Sequence, residues 1–482
     1  MGRALRRRVG LAATWASADP VVGLPAGRGL RGAGSLAVAR RAQPETVVNP
    51  GALKPGTWPT HSPFSSPGED LMRTDLDAFL ETHNLDALLV LGPAQHNPAM
   101  TYLTGGAHLT SAVLIKPRGG EPTLFYNPME RDEAAKTGLP TRNLADFPWS
   151  QYLREADGDE SLAQALRLQA LLETANLTRG RLGVTGRVEL GPAYSTLQAL
   201  QSLLPDLEID GKAAHDALLA TRRTKSDDEI AHIRRMGQIT TEVVGRVADF
   251  LSSQHGKDGL LVKADGQPVT IGEVKRLINR WLAELGAENP EGTIFAQGRD
   301  AGVPHSTGDD NAPLRLGSPI VFDIFPCEAG GGYFYDFTRT WCLGYAPDDA
   351  QALYEDVLTV HQQIMAELRP NGLCRNLQRR TCELFEAHGH PTSCRQANLQ
   401  EGYVHSLGHG LGLDVHEAPW FRASETNTDR LEPGVVFTVE PGLYYPERGL
   451  GCRLEDTVWA RPDGTFEVLA DFPLDLVLPV KG

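Results

Sequence analysis

Apolar residues at 76, 79 and 80 recur at helical spacing and predict a short amphipathic helix. The near-continuous apolar run over 85–91 follows, stops at Gly92-Pro93, and predicts a buried strand. Further short strands are predicted over 111–115, 122–126 and 181–184, with helices over 162–172 and 193–204. Helices alternating with short strands describe an α/β domain over 71–215. The pattern then changes. Long helices are predicted over 226–251, 271–285, 348–368 and 375–388, with strands over 319–325, 333–343, 435–439 and 451–460. The segment 216–482 therefore reads as an α+β domain. Its first helix opens on Ser226 with Glu229 three positions on, the signature of a capping box.

Four acids break the apolar pattern of this second domain. Asp323 lies within Ile320-Val321-Phe322-Asp323-Ile324-Phe325, and Asp336 within Tyr333-Phe334-Tyr335-Asp336-Phe337. A carboxylate left charged and unpaired in such a strand is costly. The turn Glu328-Ala329-Gly330-Gly331-Gly332 predicts a hairpin that sets the two side by side. There they repel unless a cation lies between them. Glu440 ends the strand-like run 435–439, and Glu455 sits beside strand formers in Cys452-Arg453-Leu454-Glu455-Asp456-Thr457-Val458. One such acid reads as a salt-bridged or solvated strand end; four in one domain point to a shared cation.

Three histidines sharpen the picture. His405, His409 and His416 fall among small and apolar neighbours, with Gly408, Gly410 and Gly412 interleaved. The glycines predict a backbone that approaches a ligand closely. A donor set rich in carboxylate suits two divalent ions of the Mn²⁺ type better than a thiolate zinc site. Two such ions would generate a hydroxide nucleophile at neutral pH.

These motifs resemble those of the pita-bread metallopeptidases, in the branch of Xaa-Pro aminopeptidases and Xaa-Pro dipeptidases. The resemblance implies a C-terminal pita-bread catalytic domain over 216–482, α+β in class, preceded by a smaller α/β creatinase-like N-terminal domain over 71–215. It includes the Thr224-Lys225-Ser226 lead-in to the first catalytic helix. It implies that Asp323, Asp336, His409, Glu440 and Glu455 hold two divalent ions, Mn²⁺ foremost, with Co²⁺, Zn²⁺ or Fe²⁺ as alternatives. Glu440 would carry the proton from the attacking water to the prolyl nitrogen. His416 would stabilise the oxyanion. His405 and His305 would wall the substrate pocket, and Arg453 would either support the site through an ion pair or receive a carboxylate. The implied substrate is a peptide with proline in second position. The leading expectation is an Xaa-Pro aminopeptidase, with an Xaa-Pro dipeptidase as the alternative and a metal-free pita-bread binding module as the rival outside enzymology. The family habit implies a homo-oligomer, a dimer or tetramer. One departure stands out: the family separates its first two acids by eleven residues, whereas Asp323 and Asp336 are thirteen apart. Added residues at a hairpin tip leave both ligands in place but reshape one wall of the site.

Composition narrows partners and compartment. A net charge of −15 argues against nucleic acid and against a basic membrane-surface role. No apolar run is long enough to span a membrane. Residues 1–50 carry eight Arg, one Asp and one Glu, net +6 against −21 for the remainder. With the Gly, Pro and Ser that follow, 1–70 is expected to be a disordered tail, a targeting segment or an over-called start ahead of Met72. Six cysteines without a Cys-x-x-Cys pair predict reduced thiols in a cytoplasmic protein.

Overall fold

In the computed structural model, which describes residues 75–482, the apolar run after helix α1 (Asp75–Thr82) becomes the central strand β1 (Ala87–Gly92). Strands β2 (Ala112–Pro117), β3 (Thr123–Tyr126), β4 (Thr141–Asn143), β5 (Gly180–Gly186) and β6 (Leu207–Asp210) complete a six-stranded sheet of order β4-β3-β2-β1-β5-β6. β1 runs parallel to β5 and antiparallel to β2. It is apolar on successive residues because both faces are covered. Leu88 and Val90 pack with Leu76 and Leu80 of α1, while Ala87 and Leu89 pack with Leu168 and Leu172 of helix α2 (Glu160–Thr174). Helix α3 (Leu190–Leu203) shares the second face, and α4 (Gly211–Arg222) shares the first. The predicted segment 1–70 and Met72 lie outside the described residues.

Helix α5 (Asp227–Ser252) begins at the predicted capping box: the Ser226 side chain accepts from the Glu229 N–H, and the Glu229 carboxylate accepts from the Ser226 N–H. Such a cap is worth about 1 kcal/mol. It fixes where the chain leaves the first domain. Helices α6 (Ile271–Glu284), α7 (Asp348–Glu367) and α8 (Cys374–Ala387) follow within a residue or two of expectation.

Among the strands of this region, those that build the site are β7 (Thr293–Gln297), β8 (Pro319–Ile324), β9 (Phe337–Leu343), β10 (His409–Gly410), β11 (Glu417–Trp420), β12 (Val436–Val439), β13 (Gly442–Tyr445), β14 (Leu450–Arg453), β15 (Asp456–Ala460), β16 (Phe466–Val468) and β17 (Val477–Leu478). They form a four-stranded sheet β7-β8-β9-β17, a five-stranded sheet β11-β10-β12-β15-β16 and the hairpin β13-β14. Thr338 of β9 bridges to Glu455, just ahead of β15, so the two larger sheets meet at the acids.

Three expectations are corrected. The strand expected over 333–343 starts only at Phe337, because the Phe334 N–H goes to Gly412 O and the Tyr335 N–H to Pro326 O instead of a ladder. The run 451–460 breaks at Leu454-Glu455, whose N–H groups turn to Pro441 O and Thr338 O. The reading of all six cysteines as thiols also fails. Cys382 and Cys394 form a disulfide with Cα atoms 6.3 Å apart, whereas Cys327, Cys342, Cys374 and Cys452 are free and buried. The chain after α8 folds back over that helix, a return that the twelve-residue spacing does not announce.

Candidate metal centre

Antiparallel pairing of β8 and β9 sets Asp323 opposite Thr338, and Thr338 in turn is bridged to Glu455. Asp336 lies immediately before β9, so the hairpin brings both aspartates to one end of the sheet. From the other sheet, His409 opens β10 and Glu440 follows the last residue of β12. The Glu440 N–H donates to Leu407 O at 2.8 Å, and the His409 N–H to the Thr438 hydroxyl at 3.2 Å. Two segments thirty residues apart are thereby locked in register.

Gly408 and Gly410 make this register possible. A Cβ at Gly408 would lie 2.0 Å from Thr438 O, and one at Gly410 2.0 Å from Ala418 O. At these two positions the close approach is to neighbouring strands.

The side chains converge. Oxygens of Asp336 and Glu455 and a ring nitrogen of His409 all lie within 4.8 Å of one another. His409 Nε2 is 3.5 Å from an oxygen of Asp336 and 3.5 Å from one of Glu440. Its Nδ1 donates to Gly410 O at 3.1 Å, which leaves Nε2 as the lone-pair face toward the carboxylates. Asp323, Asp336 and Glu455 are buried, yet Asp323 Oδ1, Asp336 Oδ1 and Glu455 Oε1 have no hydrogen-bond partner. Burial raises the Asp336 carboxyl well above its usual range, and Glu455, Asp323 and Glu440 add repulsion. Glu440 moves the same way through burial and Glu455. Glu455 is pushed up to about 8, again by burial first and Asp323 second. His409 falls to about 3 because its surroundings desolvate the imidazolium. A neutral imidazole facing several unsatisfied carboxylate oxygens is the donor chemistry that divalent cations complete.

The other predicted residues surround this cluster. The His416 ring lies 4.3 Å from that of His409, centroid to centroid, and is itself exposed. His405 is half-buried: Nδ1 donates to Ser406 O at 2.7 Å and Nε2 meets the Tyr444 hydroxyl at 2.8 Å. Desolvation, then the Arg453 charge, lowers His405 to about 3, so it is the neutral ring that accepts from Tyr444. His305 is exposed and close enough to lower both His405 and His416. Arg453 is 3% exposed. Its guanidinium pairs with Asp323 and donates to the Tyr444 hydroxyl, Pro304 O and the Thr338 hydroxyl. These contacts fit the ion-pair reading of Arg453.

The residues between Asp323 and Asp336 that exceed the usual spacing do not splay the hairpin. Cys327-Glu328 pair with Ala287-Glu288, and Gly330 O accepts from the His96 N–H at 3.1 Å in the N-terminal domain. Gly331 and His96 line one side of a cavity of about 480 Å³ at the junction of the two domains, with Arg187, Arg222, Glu291 and Asp414.

Thr338, Arg339 and Tyr444 also shape the cluster, beyond the residues singled out in the sequence. Thr338 holds one Glu455 oxygen at 2.7 Å. Arg339 donates to Thr338 O, Glu455 O, Phe472 O and Pro473 O and to Asp456. The available signal was Thr338-Arg339-Thr340, a polar triplet in the middle of an apolar strand.

Residues 72–217 match the Creatinase/Prolidase N-terminal domain and residues 231–462 match Metallopeptidase family M24. The Xaa-Pro dipeptidase of Pyrococcus furiosus is 32% identical over 389 residues, 80% of this chain and 94% of that protein. The probable dipeptidase PepE of Mycobacterium tuberculosis is 31% identical over 355 residues, 74% of this chain and 82% of that protein. Among solved structures, the X-Pro aminopeptidase from Thermotoga maritima MSB8 has a TM-score of 0.64 at 21% identity, covering 84% of this chain and 100% of that one. That structural likeness speaks to the fold alone. With both domain models matched and a relative 32% identical over 94% of its own length, the chain belongs to metallopeptidase family M24 and has its pita-bread fold.

Proposed function

We propose that this protein is a dinuclear-metal Xaa-Pro dipeptidase, hydrolysing the bond before a C-terminal proline. The observation that carries the metal reading is the set of orphaned, buried oxygens on Asp323, Asp336 and Glu455 around a neutral His409. Asp323, Asp336, His409, Glu440 and Glu455 are the ligands we assign, and two Mn²⁺ ions are the occupants an oxygen-rich set favours. When bound, such ions polarise the scissile carbonyl and acidify the attacking water. The dipeptidase reading displaces the aminopeptidase expected first, because relatives matched over most of their length are dipeptidases by name.

The chain's own groups have separate tasks in this scheme. Glu440, at the mouth of the cluster, takes a proton from the water and delivers it to the prolyl nitrogen. His416, exposed beside His409, donates a hydrogen bond to the developing oxyanion. Arg453 holds Asp323 and, through Tyr444, orients His405 at the pocket wall together with His305. Hydrolysis of Xaa-Pro dipeptides and Xaa-Pro-Yaa tripeptides by the Mn²⁺-loaded enzyme decides the substrate class. Dipeptides should be cleaved and tripeptides resisted; comparable rates on both would return the aminopeptidase reading.

We also assign the working enzyme to the two domains 71–215 and 216–482. A chain beginning at Met72 is then expected to fold and to keep its turnover, measured against the full-length protein. Aggregation or inactivity of the shorter chain would make the preceding segment part of the enzyme.

A further inference from the structure

The lead-in Thr224-Lys225-Ser226 joins α4 to α5, and its lysine is buried. Lys225 Nζ donates to Arg222 O at 2.7 Å and to Glu417 Oε2 at 3.1 Å. Arg222, the last residue of α4 and also buried, pairs with the other Glu417 oxygen and with Asp414 Oδ2 at 2.8 Å. Glu417 is 1% exposed and accepts the Asp414 N–H at 3.0 Å as well. The loop closes tightly over it: a Cβ on Gly412 would lie 2.8 Å from each Glu417 oxygen. On its other side the joint is fixed by the Lys225 N–H, which donates to Gly434 O at 2.8 Å. Glu417 is thus a pin at the base of the 412–416 loop, gripped by two cations from the junction of the domains.

His416 is the next residue back from that pin. Among the described residues no side-chain hydrogen bond orients its ring, which stands 4.3 Å from the His409 ring. Its position is therefore set by its backbone, and its backbone is set by Glu417. We propose that Lys225 and Arg222, acting through Glu417, are positioning residues for His416. The inference rests on His416 serving the transition state. The two cations are engaged by Glu417, Asp414 and a backbone carbonyl, not by the carboxylates of the metal cluster. They control turnover by keeping the neighbouring imidazole within donor reach, where a displacement of about 1 Å costs on the order of 10²-fold.

Lys225→Met keeps the aliphatic stem and removes the charge. It should lower kcat about 10–100-fold on an Xaa-Pro dipeptide, with metal content and KM near those of the unaltered enzyme. Lys225→Arg should restore most of the loss. The deciding measurement is the coupling: in a His416→Ala background, Lys225→Met should cost nothing further. The same fold loss in both backgrounds, or unchanged turnover in Lys225→Met, would overturn the proposal. If Lys225→Met loses metal or melts early, Lys225→Met/Glu417→Gln leaves no carboxylate to strand and is tested for the same coupling. Failure of that pair to fold would equally overturn the proposal, in favour of a purely structural ion pair. Failure of the underlying reading is visible separately, as unchanged kcat in His416→Ala alone.

Discussion

Glu455 and Asp456 are chain neighbours, both buried, and their surroundings treat them in opposite ways. Glu455 is pushed up to about 8 by burial and the nearby Asp323 carboxylate. At Asp456 burial acts in the same sense, yet the Arg339 charge and the His361 ring, whose Nε2 lies 3.3 Å away, overcome it and hold the carboxyl down to about 2. Arg339 Nη2 reaches Asp456 Oδ1 at 2.8 Å, and its other N–H groups end on four backbone carbonyls. On the Asp456 side both carboxylate oxygens meet nitrogens from within the chain. The other carries carboxylate oxygens with nothing to meet them. A buried acid with protein partners is architecture; a buried acid without them marks a place reserved for something else.

That contrast breaks most sharply by substitution at Glu455. Glu455→Ala should lose bound metal and activity together, with turnover falling by more than about 10³-fold, beyond the usual cost of one oxyanion donor. Full activity in this variant would erase the distinction between the two sides. A second comparison uses stability in metal-stripped protein. Asp456→Ala strands the buried Arg339 charge and should cost about 3–5 kcal/mol in denaturant unfolding. Asp336→Asn removes a repelling carboxylate from the unfilled cluster and should leave stability unchanged or raised. Equal losses in the two would show that both clusters are structural.

The smallest effect is in acid. Asp456 has a folded value below its ordinary 3.8, so it contributes stability above that pH and loses it as pH falls toward about 2. The loss from this residue should be about 2 kcal/mol, read as the difference in acid sensitivity between the protein and its Asp456→Asn variant. An identical acid limb in both would remove Asp456 from the account.

The acids were legible in the sequence for a simple reason. A charge in an apolar run of sequence is an anomaly that a local window reveals, and Asp323, Asp336, Glu440 and Glu455 are all of that kind. The capping box at Ser226 was equally local and came out residue for residue. What was hidden depends on contacts between distant segments. Nothing near Arg339 in the chain foretells that Pro473 O and Asp456 will meet it, or that Cys394 will return to Cys382. The glycines at 408 and 410 were visible, but their purpose was not, since Thr438 O and Ala418 O come from other strands.

The row Asp323–Thr338–Glu455 has a consequence for how the enzyme comes into being. Its members are joined across strands, and more than a hundred residues separate Thr338 from Glu455 in the chain. As the polypeptide emerges from the ribosome, the hairpin carrying Asp323 and Asp336 is present long before Glu455 exists to oppose it. Contacts of such long sequence separation form late in folding. On the proposed ligand assignment the centre is therefore incomplete in a nascent chain, and metal binding arrives only with the last strand pairings.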